Sequence, residues 1–268
     1  MYKIILSATL VSFLLSTGTL SAKEPVKKIK FIKLEKKYMT LSEINSFYVN
    51  YAFLKNKKDI YKFLKGIFHF HLLEKGSKQG LLIGFMSGLI KDDYESFKMI
   101  INQNSLSLDE AKALSVSIYL SDINNSETLY EAVKQSLNDK ENSFIEDLRK
   151  NIPSKDISLL SFKNDFNINI SIGSYFHKKN YKIIRHLLNE LYPSKSDYLY
   201  HKKLLFSIIL LSSNFVEVEQ EVKRLSLSKK HVNIKDDLLY IKDKSSYLNK
   251  IDNQIILVST ITSLVSYK

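Results

Sequence analysis

Apolar residues recur at helical spacing over most of the chain, and the clearest run follows Asp59. Ile60, Phe63, Leu64, Ile67, Phe68, His71 and Leu72 are separated by steps of three and four, which puts them on one stripe of a helix. Ahead of them Ile44, Phe47, Tyr48 and Tyr51 form another stripe. Thr40-Leu41-Ser42-Glu43 opens it as a capping box, in which hydroxyl and carboxylate satisfy each other's free backbone N–H groups. A short helix is predicted from Leu81 to Ile90 and a fourth from an Asp92-Asp93 cap to Ile101. A second capping box, Ser107-Leu108-Asp109-Glu110, starts a helix that runs to about Ile123. Leu129, Ala132, Val133 and Leu137 mark the next, and Phe144, Ile145 and Leu148 the one after. Asn151-Ile152-Pro153-Ser154 interrupts the series, because proline cannot continue a helix. Beyond it the pattern predicts helices near 181–192, 197–213, 215–226, 236–250 and 254–266.

Two stretches resist the helical period. Phe166, Ile168, Ile170 and Ile172 alternate with polar residues, by itself a strand signal, and Ile255 to Val265 is β-branched enough to be a strand. Nearly every neighbour is helical and an orphan strand has nothing to pair with, so both are assigned as helices. The fold class is therefore all-α. A faint internal echo refines it. Tyr51-Ala52-Phe53-Leu54-Lys55, Lys57-Lys58 and Tyr61-Lys62-Phe63-Leu64 parallel Gly173-Ser174-Tyr175-Phe176-His177, Lys178-Lys179 and Tyr181-Lys182-Ile183-Ile184. Each reads as a helix, a short polar turn and an amphipathic helix. The expectation is of stacked helix–turn–helix units, solenoid-like or irregularly multihelical, in two degenerate halves, 40–152 and 153–268.

The first residues look like an export signal. Met1-Tyr2-Lys3 is a short basic opening, Ile4 to Leu15 is apolar but for Ser7, Thr9 and Ser12, and Leu20-Ser21-Ala22 precedes an abrupt polar turn at Lys23. That is the layout of a secretory signal peptide, 1–22, cut after Ala22. Its apolar run is about half the roughly 20 residues a spanning helix needs. The seven lysines on the far side (Lys23, Lys27, Lys28, Lys30, Lys33, Lys36 and Lys37) also oppose a permanent anchor. Residues 23–39 read as a basic lead-in, and those lysines are the candidate contacts to an anionic membrane or cell-wall surface. The mature chain is expected in the periplasm or outside the cell, with no later segment apolar enough to span a bilayer.

Cysteine is absent, which removes disulfides, thiolate metal sites, cysteine nucleophiles and a lipoprotein anchor. The hydrophobic fraction of 44% excludes wholesale disorder. The net charge of +12 favours anionic partners. Only Arg149, Arg185 and Arg224 among the basic residues are arginines, the better fork for phosphate, so a solvated lysine surface is favoured over a specific anion site, and nucleic acid is not the expected partner.

Taken together, the two helix–turn–helix units, Leu82-Ile83-Gly84-Phe85-Met86-Ser87-Gly88 and Ala113-Leu114-Ser115-Val116-Ser117-Ile118-Tyr119-Leu120-Ser121 resemble a loose family of exported bacterial α-helical proteins of uncharacterised biochemistry. Its members are often mislabelled as similar to translation initiation factor 2. The resemblance covers roughly residues 40–225. It departs from the family where a tryptophan and a Thr-Gly-Asp turn belong, since Tyr48 or Ile172 and a lysine-rich turn stand there instead. It implies a helical fold and an exported location and carries over no catalytic residue. A role in translation conflicts with the signal peptide.

Candidate chemistry is sparse. Gly76, Gly80, Gly84 and Gly88 recur every four residues. Gly76 is assigned as a left-handed cap ending the preceding helix, and Gly80, Gly84 and Gly88 as a close helix-packing face. Among the histidines, His69 and His71 are two residues apart, so on a helix their rings diverge by 200° and cannot share an ion. His71 belongs to the apolar stripe and is assigned to the core. His71 with Glu74, and His186 with Glu190, can meet at helical spacing. A zinc site needs further ligands to which the sequence does not point, so no metal, cofactor or catalytic residue is assigned. Asp92-Asp93 and Asp236-Asp237 suit helix N-termini, and Glu217, Glu219 and Glu221 read as solvated. The leading reading is a non-enzymatic binding protein that holds a protein or envelope component in a groove between helical layers. Its rivals are a peripheral binder of anionic surfaces and an enzyme whose site is assembled from distant residues.

Overall fold

The computed structural model describes residues 38–74, 76–150, 155–157, 160, 165–191 and 197–248. The expected signal segment at 1–22, the lysines up to Lys37, the expected break at 151–154 and the predicted helix at 254–266 lie outside the described residues. Within them the protein is all-α and multihelical, with twelve α-helices and no strand. In chain order these are α1 (Leu41–Leu54), α2 (Ile60–His69), α3 (Gly76–Asp92), α4 (Tyr94–Gln103), α5 (Leu108–Ser121) and α6 (Ser126–Gln135). There follow α7 (Asp139–Lys150), α8 (Asp165–His177), α9 (Tyr181–Leu191), α10 (Tyr198–Asn214), α11 (Val216–Ser226) and α12 (Lys235–Leu248).

Local chemistry sets several of the boundaries. Both capping boxes form. Thr40 Oγ1 accepts from Glu43 N at 3.3 Å while Thr40 N donates to the Glu43 carboxylate at 2.7 Å. Ser107 and Glu110 repeat this at the head of α5. Asp93 caps α4 by accepting from Ser96 N, and Asp197 caps α10 by accepting from Tyr200 N. Each such cap contributes about 1 kcal/mol.

The stretch between α2 and α3 differs from the sequence reading. Helix α2 stops at His69, short of His71 and Leu72. His71 N–H donates to Phe68 O and Leu72 N–H to Ile67 O, the paired bonds of a Schellman motif, with His71 at the left-handed position (φ 50°). Histidine tolerates that conformation better than most side chains. Gly76 is therefore not the cap of α2; it is the first residue of α3, which is two turns longer than predicted. His71 is not in the core but exposed in the turn.

Two central helices organise the packing. In α3 every residue from Gly80 to Ser87 is buried, and in α8 every residue from Ile168 to Gly173. Helix α3 packs on α8 along its length and on α5 behind it, and α8 also meets α1 and α10. Helices α10, α11 and α12 pack on one another, while α4 lies against α2 and α6. Burial on all sides explains the ambiguous alternation at 166–172: a helix without a solvent face shows no stripe.

The α3–α8 contact is close enough to exclude side chains. A Cβ on Gly84 would lie 1.9 Å from Ile170 O, and one on Gly173 would lie 1.9 Å from Leu81 O. Around this seam sits an aromatic core. The Phe85 ring centroid lies 4.6 Å from Tyr48, 5.6 Å from Phe63 and 5.6 Å from Tyr51. Tyr48 in turn packs on Phe176, and Phe176 on Phe215. Burying each such ring stabilises the fold by about 1.5–3 kcal/mol.

Candidate functional site: two lysine corners over a buried polar cluster

Helices α1, α3 and α8 end beside one another. A helix C-terminus leaves carbonyls without partners and carries partial negative charge, so cations are favoured there. Lys55, left-handed at φ 48° just after α1, meets that need by donating from Nζ to His177 O at 2.7 Å, at the end of α8. Asp92 does the opposite, placing a carboxylate at the end of α3, where the helix dipole opposes it. Three donors compensate. Tyr51 Oη and His177 Nε2 each lie 2.7 Å from Asp92 Oδ2, and Lys57 Nζ lies 3.6 Å from Oδ1.

These contacts fix the charge states. Burial works to raise the Asp92 carboxyl, but the hydrogen bonds from Tyr51 and His177, with Lys57, outweigh it and hold it below its ordinary range. Burial also lowers the His177 imidazole, and the bond to Asp92 opposes this without overcoming it. The Tyr51 phenol is pushed well above its usual range by burial, reinforced by Asp92. An ionised Asp92 accepts only, so His177 carries its proton on Nε2. Its Nδ1 faces Gly88 of α3, where a Cβ would lie 2.1 Å from that atom. Chemically the cluster is a polar lock that joins three helix ends.

Above the lock the turns that follow α1 and α8 lie side by side. They carry Lys55, Lys57 and Lys58, and Lys178 and Lys179, with Lys182 in the first turn of α9. Burial lowers the Lys55 ammonium, and the nearby charges of Lys178 and Lys57 add to that. Lys179 Nζ sits 3.9 Å from the Phe53 ring centroid and pairs with Glu217. Phe53 stacks on Phe215 at 5.6 Å. Large apolar groups stand exposed around these lysines: Leu54 (72%), Val216 (62%), Phe53 (53%) and Tyr181 (52%). Along the flank of α1 runs an open cleft of about 390 Å³, lined by Phe47, Asn50, Leu54, Asn56, Asp59 and Lys62 among others.

Of the residues singled out in the sequence, Gly80, Gly84 and Gly88 all lie on the α3 face that meets α8, opposite Asn169, Ile170 and His177 respectively. Lys23 to Lys37 lie outside the described residues. His69 stacks on Tyr38 at 4.0 Å. His201 Nδ1 is 3.0 Å from Leu191 O. His71 Nδ1 and Glu74 Oε1 do meet, at 3.2 Å, but in a turn rather than on a helix. Of Asp92 and Asp93 only Asp93 caps a helix, whereas Asp236 and Asp237 both lie in the first turn of α12. Glu217 is not a free solvated charge, since Lys179 holds it and its carboxyl is lowered: burial opposes this, and the hydrogen bond from Lys179 outweighs it. Tyr51, Asp92 and His177 were not legible as a cluster. The available signal was the internal echo, which aligns Lys55 with His177, the two residues that touch.

Neither a family model, nor a curated protein, nor a solved structure matches this chain. The class that the fold defines is an all-α, multihelical protein, and no helix among the described residues is long and apolar enough to cross a membrane.

Proposed function

We propose that this is an exported, non-enzymatic binding protein that docks on anionic phospholipid headgroups of the cell envelope through its paired lysine corners. The observation that carries this is the grouping of Lys55, Lys57 and Lys178, with Lys179 over the exposed Phe53, beside the exposed Leu54, Tyr181 and Val216. Lysines beside protruding apolar groups are the combination by which a peripheral protein combines electrostatic attraction with shallow insertion. Each lysine near an anionic leaflet contributes about 1 kcal/mol, so a handful suffices for reversible attachment. The lysines of the lead-in add to the same net charge. Export rests on the basic, apolar and cleavable layout of residues 1–22. It predicts a mature N-terminus at or near Lys23 and a precursor heavier by about 2 kDa; a full-length chain confined to the cytoplasm refutes it.

The docking test is sedimentation with vesicles of phosphatidylcholine, with and without phosphatidylglycerol. Binding should require the anionic lipid and weaken steeply from low to moderate salt. Lys58, Lys178 and Lys182 are exposed, so a K58E/K178E/K182E variant should fold normally and bind more than about a hundredfold more weakly. Equal binding by that variant, or indifference to phosphatidylglycerol, sinks the proposal. The cleft along α1 supports a second reading, in which a segment of a partner protein lies between α1 and α2. That contact would survive salt and would not need lipid.

A further inference from the structure

We propose that His71, Glu74 and Glu110 form a divalent transition-metal site, with zinc as the fitting ion. Two carboxylates and a neutral imidazole balance a divalent cation, and this nitrogen–oxygen donor set suits zinc. The spacing agrees. Tetrahedral bonds of 2.0–2.1 Å put neighbouring ligand atoms about 3.4 Å apart. His71 Nδ1 lies 3.2 Å from Glu74 Oε1 and 3.6 Å from Glu110 Oε1. All three donor atoms fall within 4.8 Å of one another.

Burial separates this trio from an ordinary surface ion pair. The Glu110 side chain is only 4% exposed, and its Oε2 is occupied by the Ser107 N–H of the capping box. Its Oε1 points at His71 and has no hydrogen-bond donor among the described residues. One imidazole proton cannot serve two carboxylates at once, whereas a cation bound to all three groups neutralises both. Ser107 N–H then acts as the outer partner that orients a ligating carboxylate. The turn is held in register as well. Glu74 N–H donates to His71 O, and Gln79 Nε2 bridges Leu73 O and Asp109 O, tying the turn to the head of α5. The helix N-terminus there opposes a cation, but that is a partial charge against two full ones. His71 is largely exposed, which leaves a fourth position for water.

The test uses the full mature chain, stripped with chelator and titrated calorimetrically with Zn(II) alone, with Co(II) absorption as a probe of tetrahedral geometry. One equivalent should bind. Glu74→Gln and His71→Asn, the latter chosen because asparagine tolerates the left-handed backbone, should each weaken binding more than about tenfold, the loss that even outer-shell changes produce. Neither should alter the melting temperature of the metal-free protein much, which separates ligand loss from misfolding. Glu110 is left intact because it also caps α5. Absence of saturable Zn(II) uptake, or parent-like affinity in both variants, overturns the proposal.

Discussion

Gly84→Ala should lower the melting temperature sharply, although alanine is the better helix former by about 1 kcal/mol. The added methyl would sit 1.9 Å from Ile170 O and 2.9 Å from Ser174 N, both backbone atoms of α8. Backbone cannot swing aside as a side chain can, so the two central helices must separate along their seam. Ordinary overpacking costs about 1–3 kcal/mol, and this site belongs at or above the upper end. For a chain of this size each kcal/mol shifts the midpoint by about 2–4 °C, so a fall of about 6–12 °C is expected. Gly173→Ala, its counterpart on α8, should behave alike, and Gly84→Leu should fail to fold. Calorimetric melting checks this: Gly84→Ala and Gly173→Ala melting at or above the parent would show that the seam is not closed.

The second large effect is expected at Asp92. Asp92→Ala removes the acceptor for both Tyr51 Oη and His177 Nε2. Each buried group left unpaired costs about 1–3 kcal/mol, or about 2–6 for the two, and water reaching the partly exposed site softens the total to about 2–4 kcal/mol. Tyr51→Phe should cost less, since it removes donor and demand together. Acid should act on the same cluster. The folded His177 pKa lies below its unfolded value of 6.5, so its stabilisation is fully present above pH 6.5 and declines as pH falls further. Asp92 acts in the same direction, but only below its unfolded value of 3.8. Denaturant melts at pH 7.5 and 5.5 should therefore show the parent losing more stability on acidification than His177→Gln. Parallel losses would mean that the His177 pKa is the same in the folded and the unfolded chain.

The helices were legible wherever one face meets water. Residues 60–68 show a stripe because α2 is half buried, and the two capping boxes mark their boundaries because their chemistry is local. Legibility failed where burial is complete or partners are distant. In α8 the alternation of Ile168, Ile170 and Ile172 looks like a strand because all its sides are covered. Asp92 looks like half of an N-cap until Tyr51 and His177 arrive from other parts of the chain. His71 continues an apolar period in sequence, yet its backbone has already turned left-handed. The glutamate beside it, Glu110, is recognisable only as a cap.

The bare face of α3 also has a consequence in time. During synthesis α3 emerges complete at Asp92, while α8 does not begin until Asp165. For that interval the glycine face of α3, formed by Gly80, Gly84 and Gly88, lacks the helix it packs against. A chain that closes around a late-arriving helix depends on whatever shields the early one, so a holding chaperone should recognise fragments ending before Asp165 and release those that extend past His177.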